Sequence, residues 1–507
     1  MTDLLVDAQL PQVAGPATRP RRWSFPSGGA WPLAVAAGAL AAAVAVSVQP
    51  LLGLVVVFAC VLALMMLAKP EAATLLVVFF VFSDTPSVLV QRGLPQAAAG
   101  LLPLLLVLPL AARMMRGARA LIDPVFLLLV LYLVVQLLAA AQAVDGHEAV
   151  VRIQTFVLEG LVSYILLVNV IRTPRMVRRV AWMLVAGAAF LGGLTLLQDV
   201  THTYYRSYFG FARVSDDFYY GLVDKPRFQG PIGDPNYFAQ VLLIGLPFAL
   251  LFATGNGRGR VRAAAFAAAV GLAGGIVLTY SRGSVLAFGV VVLLMFLLGN
   301  LKVRHAAVLA GAVAVSIVFF PSYGERLASL TSVGNSASAQ VGSSDTVDQS
   351  VQERSTEMQA ALLVAEDHPL LGVGPGQFPL YYQRYAARTG GEVHQAVKFG
   401  PNKGATPQRA THNLFLGVVA NLGVVGLAVF LTIIGVTLRA LWRARVRLKR
   451  GGDDSDLALI VTGCFLALVA YLVAGLFLEL AYERYLWLLI ALATAAARVA
   501  LSGERSR

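Results

Sequence analysis

The feature that most constrains this chain is a succession of apolar runs, each close to 20 residues long, as at 121–142, 180–198, 236–253 and 457–478. In a bilayer core the backbone N–H and C=O groups have no water to bond, so only helices and closed barrels cross it. A barrel strand uses about 10 residues, whereas a spanning helix needs about 20. Composition points the same way. The chain is 58 % hydrophobic and 13 % charged, against about 25 % charged in an ordinary soluble domain. The expected fold is all-α: a polytopic helical membrane protein with about 14 transmembrane helices (12–14) and a large extracytoplasmic loop.

The spans are expected at 31–48, 51–68, 72–90, 97–112, 121–142, 150–171, 180–198, 236–253, 263–281, 283–300, 306–320, 412–438, 457–478 and 485–501. Asp84, Pro86 and Ser87 interrupt the third. The net charge of +13 would suggest nucleic acid in a soluble domain. Here the basic residues alternate with the spans, as cytoplasmic loops require. Clusters such as Arg172, Arg175, Arg178 and Arg179, or Arg439 to Arg450, fall in every second connection, while 143–149 carries neither Lys nor Arg. Both termini are therefore expected in the cytoplasm, and no nucleic-acid partner is needed. The expected layout is a cytoplasmic polar tail at 1–30, N-terminal transmembrane helices at 31–198 and an extracytoplasmic loop at 199–235. Core transmembrane helices at 236–320, a large extracytoplasmic loop at 321–411, C-terminal helices at 412–501 and a cytoplasmic tail at 502–507 follow. No signal peptide is apparent. Cys60 and Cys464 both lie in apolar runs, which argues against a disulfide scaffold.

Within the large loop, Thr331–Ser350 is rich in Ser, Gly and Asp and reads as a mobile loop. Residues 354–367 read as a helix closed by His368-Pro369, and Gly372–Gly376 as a tight turn. The turn lacks the Lys-Ser/Thr of a phosphate loop. His412, in Thr411-His412-Asn413, stands where the loop re-enters the membrane. It is either a capping residue or a general base, since imidazole titrates near neutral pH. The spacing of His368, His394 and His412 does not suit a metal. Arg282, in Tyr280-Ser281-Arg282-Gly283, is either a snorkelling anchor or a phosphate clamp. Arg227, in Arg227-Phe228-Gln229-Gly230 ahead of Asp234-Pro235-Asn236, is either a second clamp or a loop salt bridge to Asp224 or Asp234. Arg206 and Arg213 share its loop, where charge alternation does not require them. Glu159 lies inside a span and is a functional candidate on that ground, with pairing to a neighbouring helix the alternative. Asp216-Asp217 reads as a solvated acidic pair, and Glu479, Glu483 and Arg484 as a cluster that pairs internally or lines a site.

These segments, in this order, resemble the O-antigen ligase and O-antigen polymerase superfamily. The resemblance runs from about Arg227 to Leu427. Its pieces are Arg227-Phe-Gln-Gly with Asp234-Pro-Asn, Tyr280-Ser-Arg-Gly, Arg354 opening a helix, His368-Pro-Leu-Leu-Gly-Val-Gly-Pro-Gly-Gln-Phe378, and Thr411-His-Asn-Leu-Phe followed by Asn421-Leu-Gly. It implies a multispan, metal-independent, inverting glycosyltransferase without a cofactor. Such an enzyme takes a glycan from undecaprenyl diphosphate at the outer face of the bacterial inner membrane. It passes the glycan to an acceptor hydroxyl, of growing surface polysaccharide or of lipid A–core. The resemblance assigns Arg227 and Arg282 to the lipid diphosphate and His412 to acceptor activation, with Arg354, Arg206, Arg213 and Glu159 as secondary candidates. Protein O-glycosylation within the same superfamily, and a lipid-linked glycan flippase or secondary transporter, stand as alternatives.

Overall fold

The computed structural model describes, isolated positions aside, residues 70–93, 106–114, 119–221, 225–301, 347–389, 410–451, 456–479 and 484–502. All of these lie in one compact unit, Val61–Arg507. The helices are α1 (Pro70–Phe82), α2 (Thr85–Gln91), α3 (Val107–Met114), α4 (Pro124–Ala140), α5 (Gly146–Val170), α6 (Pro174–Val200) and α7 (Pro235–Thr254). Next come α8 (Gly259–Leu278), α9 (Arg282–Leu297), α10 (Val347–Asp367), α11 (Phe378–Ala386), α12 (Leu414–Arg450), α13 (Asp456–Ala474) and α14 (Arg484–Ser502). Among the described residues the only β-pairing is an isolated antiparallel bridge, Val214 to Phe228.

Seven of these helices, α5, α6, α7, α8, α12, α13 and α14, are long and apolar enough to cross a bilayer. The count is eight if the bent α1–α2 pair is one span. The protein is thus a multi-pass helical membrane protein. The expected fourteen spans are not reached among the described residues, because those at 31–48, 51–68 and 306–320, with part of 97–112, lie outside them. The break in the third expected span is real: α1 and α2 meet at 62°. Asp84 takes a left-handed φ of 54°, and Pro86 sits in the first turn of α2. Helices α4 and α9 are apolar but shorter than the expected 121–142 and 283–300.

Short polar sequences start the helices. Asp123 accepts from Phe126 N, Asp145 from Glu148 N, Thr173 from Met176 N and Asp234 from Asn236 N and Tyr237 N. Each such cap stabilises by about 1 kcal/mol, and Pro124, Pro174 and Pro235 follow with φ already set for the first turn. Packing between spans relies on small residues, as expected where lipid is as apolar as leucine. A Cβ on Gly192 of α6 would lie 2.6 Å from Gly271 O of α8. Helix α7 is buried along nearly its whole length, against α8, α13 and α6.

Two boundaries differ from expectation. Helix α10 begins at Val347, so 347–350 is helical, contrary to the mobile loop expected through Ser350; residues 331–346 lie outside the described residues. The span expected at 412–438 runs from Leu414 to Arg450 and is broken at Gly423, whose φ is 66° and ψ −173°. Only glycine is at ease there.

Candidate active site

That break organises the first part of the site. Interrupting α12 frees backbone groups, and the segment after α10 takes them up. Val424 N donates to Pro369 O at 2.8 Å, Val373 N to Ala420 O at 3.0 Å and Gly374 N to Asn421 O at 2.9 Å. The Asn421 side chain accepts from Phe378 N at 3.2 Å and donates to Gly417 O. A Cβ on Gly423 would collide with the Leu370 carbonyl. The glycine-rich stretch is therefore a turn, with positive φ at Gly372, Gly374 and Gly376, and it lies across the kink. Gln377 then reaches the α4–α5 turn, donating to Asp145 O at 3.0 Å and accepting from Asp145 N at 2.8 Å. Apolar packing completes the dock: Ala360, Ala361 and Val364 of α10 are buried with Val373, Phe378, Tyr382, Tyr385 and Ala420.

Docked in this way, α10 delivers Glu357 to His412. Glu357 Oε2 lies 2.6 Å from His412 Nδ1. The carboxylate is almost fully buried, at 1 % exposure, while the imidazole keeps 33 %. His412 adopts a left-handed φ of 47°, an uncommon conformation for any residue but glycine. Asn413 is the N-cap of α12, accepting from Phe415 N at 2.9 Å and Leu416 N at 3.0 Å. The Thr411–Asn413 turn also rests on the segment after α13. Leu414 N donates to Gly475 O, Asn413 Nδ2 to Leu476 O, and Thr411 N to Glu479 Oε2 at 3.0 Å. Glu479 retains a partly open edge but sits deep among protein atoms, and this burial pushes its carboxyl above the usual range. The Thr411 N–H, Arg152 and His412 oppose that shift without cancelling it. Arg152 itself pairs with Glu148 at 2.6 Å.

The arginines form a second part. The Val214–Phe228 bridge is closed by Ser215 N to Arg227 O at 2.7 Å and Gln229 N to Arg213 O at 2.9 Å. It places Arg227 at the end of α8, where Nε and Nη2 both donate to Thr279 O at 3.3 Å. The expected loop salt bridge to Asp234 does not form, because that carboxylate is committed to capping α7; Asp224 lies outside the described residues. Three residues past Thr279, Arg282 is the first residue of α9. A cation at a helix N-terminus opposes the macrodipole. The two parts meet at 475–479. A Cβ on Gly283 would touch the Phe477 ring at 2.9 Å, and Tyr237 of α7 donates to Glu479 O at 2.8 Å. One turn thus contacts both the start of α9 and the His412 turn.

The secondary candidates divide. Arg354 is half-buried one turn before Glu357 on α10. Arg213 donates to Gly230 O and Pro231 O at 3.3 and 3.4 Å and shapes the Arg227 loop. Arg206 is exposed and is not tied to the His412 turn by any described contact. Glu159, within the π-helical turn Phe156–Val162 of α5, has a partner: Arg484, which opens α14, stands 3.6 Å from it and 3.7 Å from Asp84. Of the cluster expected of Glu479, Glu483 and Arg484, Glu479 contacts the His412 turn and Arg484 the helix break at Asp84; Glu483 lies outside the described residues. Asp216 opens a short exposed helical turn. His394 is outside the described residues, and His368 packs edge-on against Tyr381. Among the described residues no three His, Cys, Asp or Glu side chains sit together as a metal site.

Sequence reasoning missed Glu357 and Arg152. A signal for Glu357 was present: it shares the i, i+3, i+4, i+7 stripe of Ala360, Ala361 and Val364, so an acid interrupts the buried face of an amphipathic helix. Comparison with known proteins bears on the same stretch. No curated protein matches the chain at a significant level. The O-antigen ligase family profile matches residues 267–431, which takes in the Arg282 corner, α10, the glycine turn, the His412 turn and the Gly423 kink. This match at residues 267–431 supports the O-antigen ligase/polymerase superfamily.

Proposed function

We propose that this protein is a metal-independent, inverting glycosyltransferase that moves a glycan from undecaprenyl diphosphate to an acceptor hydroxyl at the outer face of the inner membrane, with both termini cytoplasmic. The observation that carries the reading is the junction at 475–479, which joins the corner bearing two arginines (Arg282 at the start of α9, Arg227 at the end of α8) to the His412 turn. In this reading Arg282 and Arg227 hold the diphosphate, guanidinium being a fixed fork of donors for phosphate oxygens. They stabilise the charge that grows as the anomeric C–O bond to the diphosphate breaks. His412 takes the acceptor hydroxyl's proton as the new C–O bond forms on the opposite face of the sugar. The acceptor is growing surface polysaccharide or lipid A–core; a protein hydroxyl is the alternative.

The transporter alternative would draw on Glu159, but that carboxylate faces Arg484, which favours a structural role for it. The experiment that tests the reading compares donors in proteoliposomes. Glycan on polyprenyl diphosphate should be transferred with release of the diphosphate lipid. Equal transfer from the monophosphate-linked glycan, or glycan uptake without transfer, would contradict it.

A further inference from the structure

We propose that Glu357 is the positioning residue that makes His412 a competent base, fixing the ring so that Nε2 receives the proton of the acceptor hydroxyl. This rests on the glycosyl-transfer reading and adds to it a residue outside every motif in the sequence. Glu357 occupies the apolar stripe of α10 and is 1 % exposed; a carboxylate in that position is costly unless paired. Glu357 lies 2.6 Å from His412 Nδ1, the range of a charge-assisted hydrogen bond.

A carboxylate has no proton to give, so Nδ1 carries the hydrogen and Nε2 presents its lone pair. The buried partner holds the imidazole at Nδ1, and the side chain as a whole keeps 33 % exposure. Transfer breaks the acceptor O–H bond and forms Nε2–H. The sugar's anomeric carbon exchanges its bond to the diphosphate oxygen for one to the acceptor oxygen, and the diphosphate leaves with the electron pair. The resulting imidazolium sits against Glu357 and later loses its proton to solvent along its exposed edge.

The other charged groups around the turn do not replace Glu357. Glu479, from the segment after α13, is engaged by Thr411 N. Arg152, from α5, bears on Glu479 and pairs with Glu148. Arg354 is a cation one turn back on α10. Because Glu357 arrives only with α10, the docked helix completes the base.

The test is Glu357→Gln in the full-length protein, beside His412→Ala. The glutamine preserves size and can still accept from Nδ1–H, but it carries no charge. Expected is a fall in kcat of about 100-fold, the scale of general-base effects, with KM for the lipid-linked donor unchanged within about 2-fold. Wild-type kcat in Glu357→Gln, with His412→Ala inactive, would overturn the role of Glu357 and leave the glycosyl-transfer reading standing. A raised KM and lowered melting temperature with kcat intact would overturn it too, since that marks a structural ion pair. Full transfer by His412→Ala would sink the wider reading and this proposal together.

Discussion

Replacing Gly423 by alanine tests whether the kink in α12 assembles the site. The backbone there has φ 66° and ψ −173°, a region essentially reserved for glycine, and holding another residue in it costs of order 1–3 kcal/mol. The new Cβ would also collide with the Leu370 carbonyl, a backbone atom that cannot swing aside. Relief requires the 369–374 segment to lift, losing the bonds from Val424 N, Val373 N and Gly374 N, each worth about 1 kcal/mol net. Either route gives about 3 kcal/mol against the docked state, or roughly a 100-fold shift in the docking equilibrium. Because α10 packs on the same segment, the His412–Glu357 contact should loosen with it. Hydrogen exchange of 369–377 should quicken and glycan transfer should fall, while Gly435→Ala, whose Cβ would meet nothing within 4 Å, should leave both unchanged. A Gly423→Ala protein with wild-type exchange and transfer would refute this account of how the site is held.

Three further outcomes follow from the same geometry. Arg282→Ala should weaken use of the lipid-linked donor by about 10- to 100-fold in kcat/KM, the worth of charged hydrogen bonds; Arg227→Ala should cost less, since Arg227 also braces Thr279 O, and equal effects would argue against that ordering. Arg484→Ala leaves Asp84 and Glu159 facing each other without their shared cation, which should destabilise the folded protein by about 3–5 kcal/mol in thermal unfolding, and Asp84→Asn with Glu159→Gln should recover part of the loss. Glu479 has a raised carboxyl pKa, so the native state holds its proton more tightly than the unfolded chain. Its contribution is least unfavourable below the unfolded value and worsens as pH rises toward the folded one. Glu479→Gln, able to accept from Thr411 N, should therefore raise the melting temperature at neutral pH and flatten its pH dependence, and an unaltered profile would count against a strained carboxylate.

Much of the fold was legible because a bilayer imposes it. Long apolar runs and the interruption at Asp84 each correspond to a helix or a break in the structure. Hydropathy did not reveal that α12 is broken at Gly423. An isolated glycine inside an apolar run reads as tolerable, and only the arrival of Leu370 from another segment makes it obligatory. The site was legible in pieces. Arg282, Arg227 and His412 stood out as polar residues at span ends, yet what links their surroundings is the 475–479 turn, several of whose contacts are made by backbone carbonyls that any sequence possesses. Asp234 and Asn413 show the complementary case: both lie in conspicuous motifs, and the structure uses both as helix caps.

The central claim is that His412 accepts a proton while a glycan leaves its diphosphate lipid, and one measurement bears on it most directly. Purified protein in proteoliposomes, given labelled glycan on polyprenyl diphosphate and a hydroxyl acceptor, would be assayed for labelled product and freed diphosphate lipid. The wild-type protein should form both together, and His412→Ala should slow both by about 100-fold or more with the fold intact. Undiminished transfer by His412→Ala, or product without release of diphosphate lipid, would contradict the account.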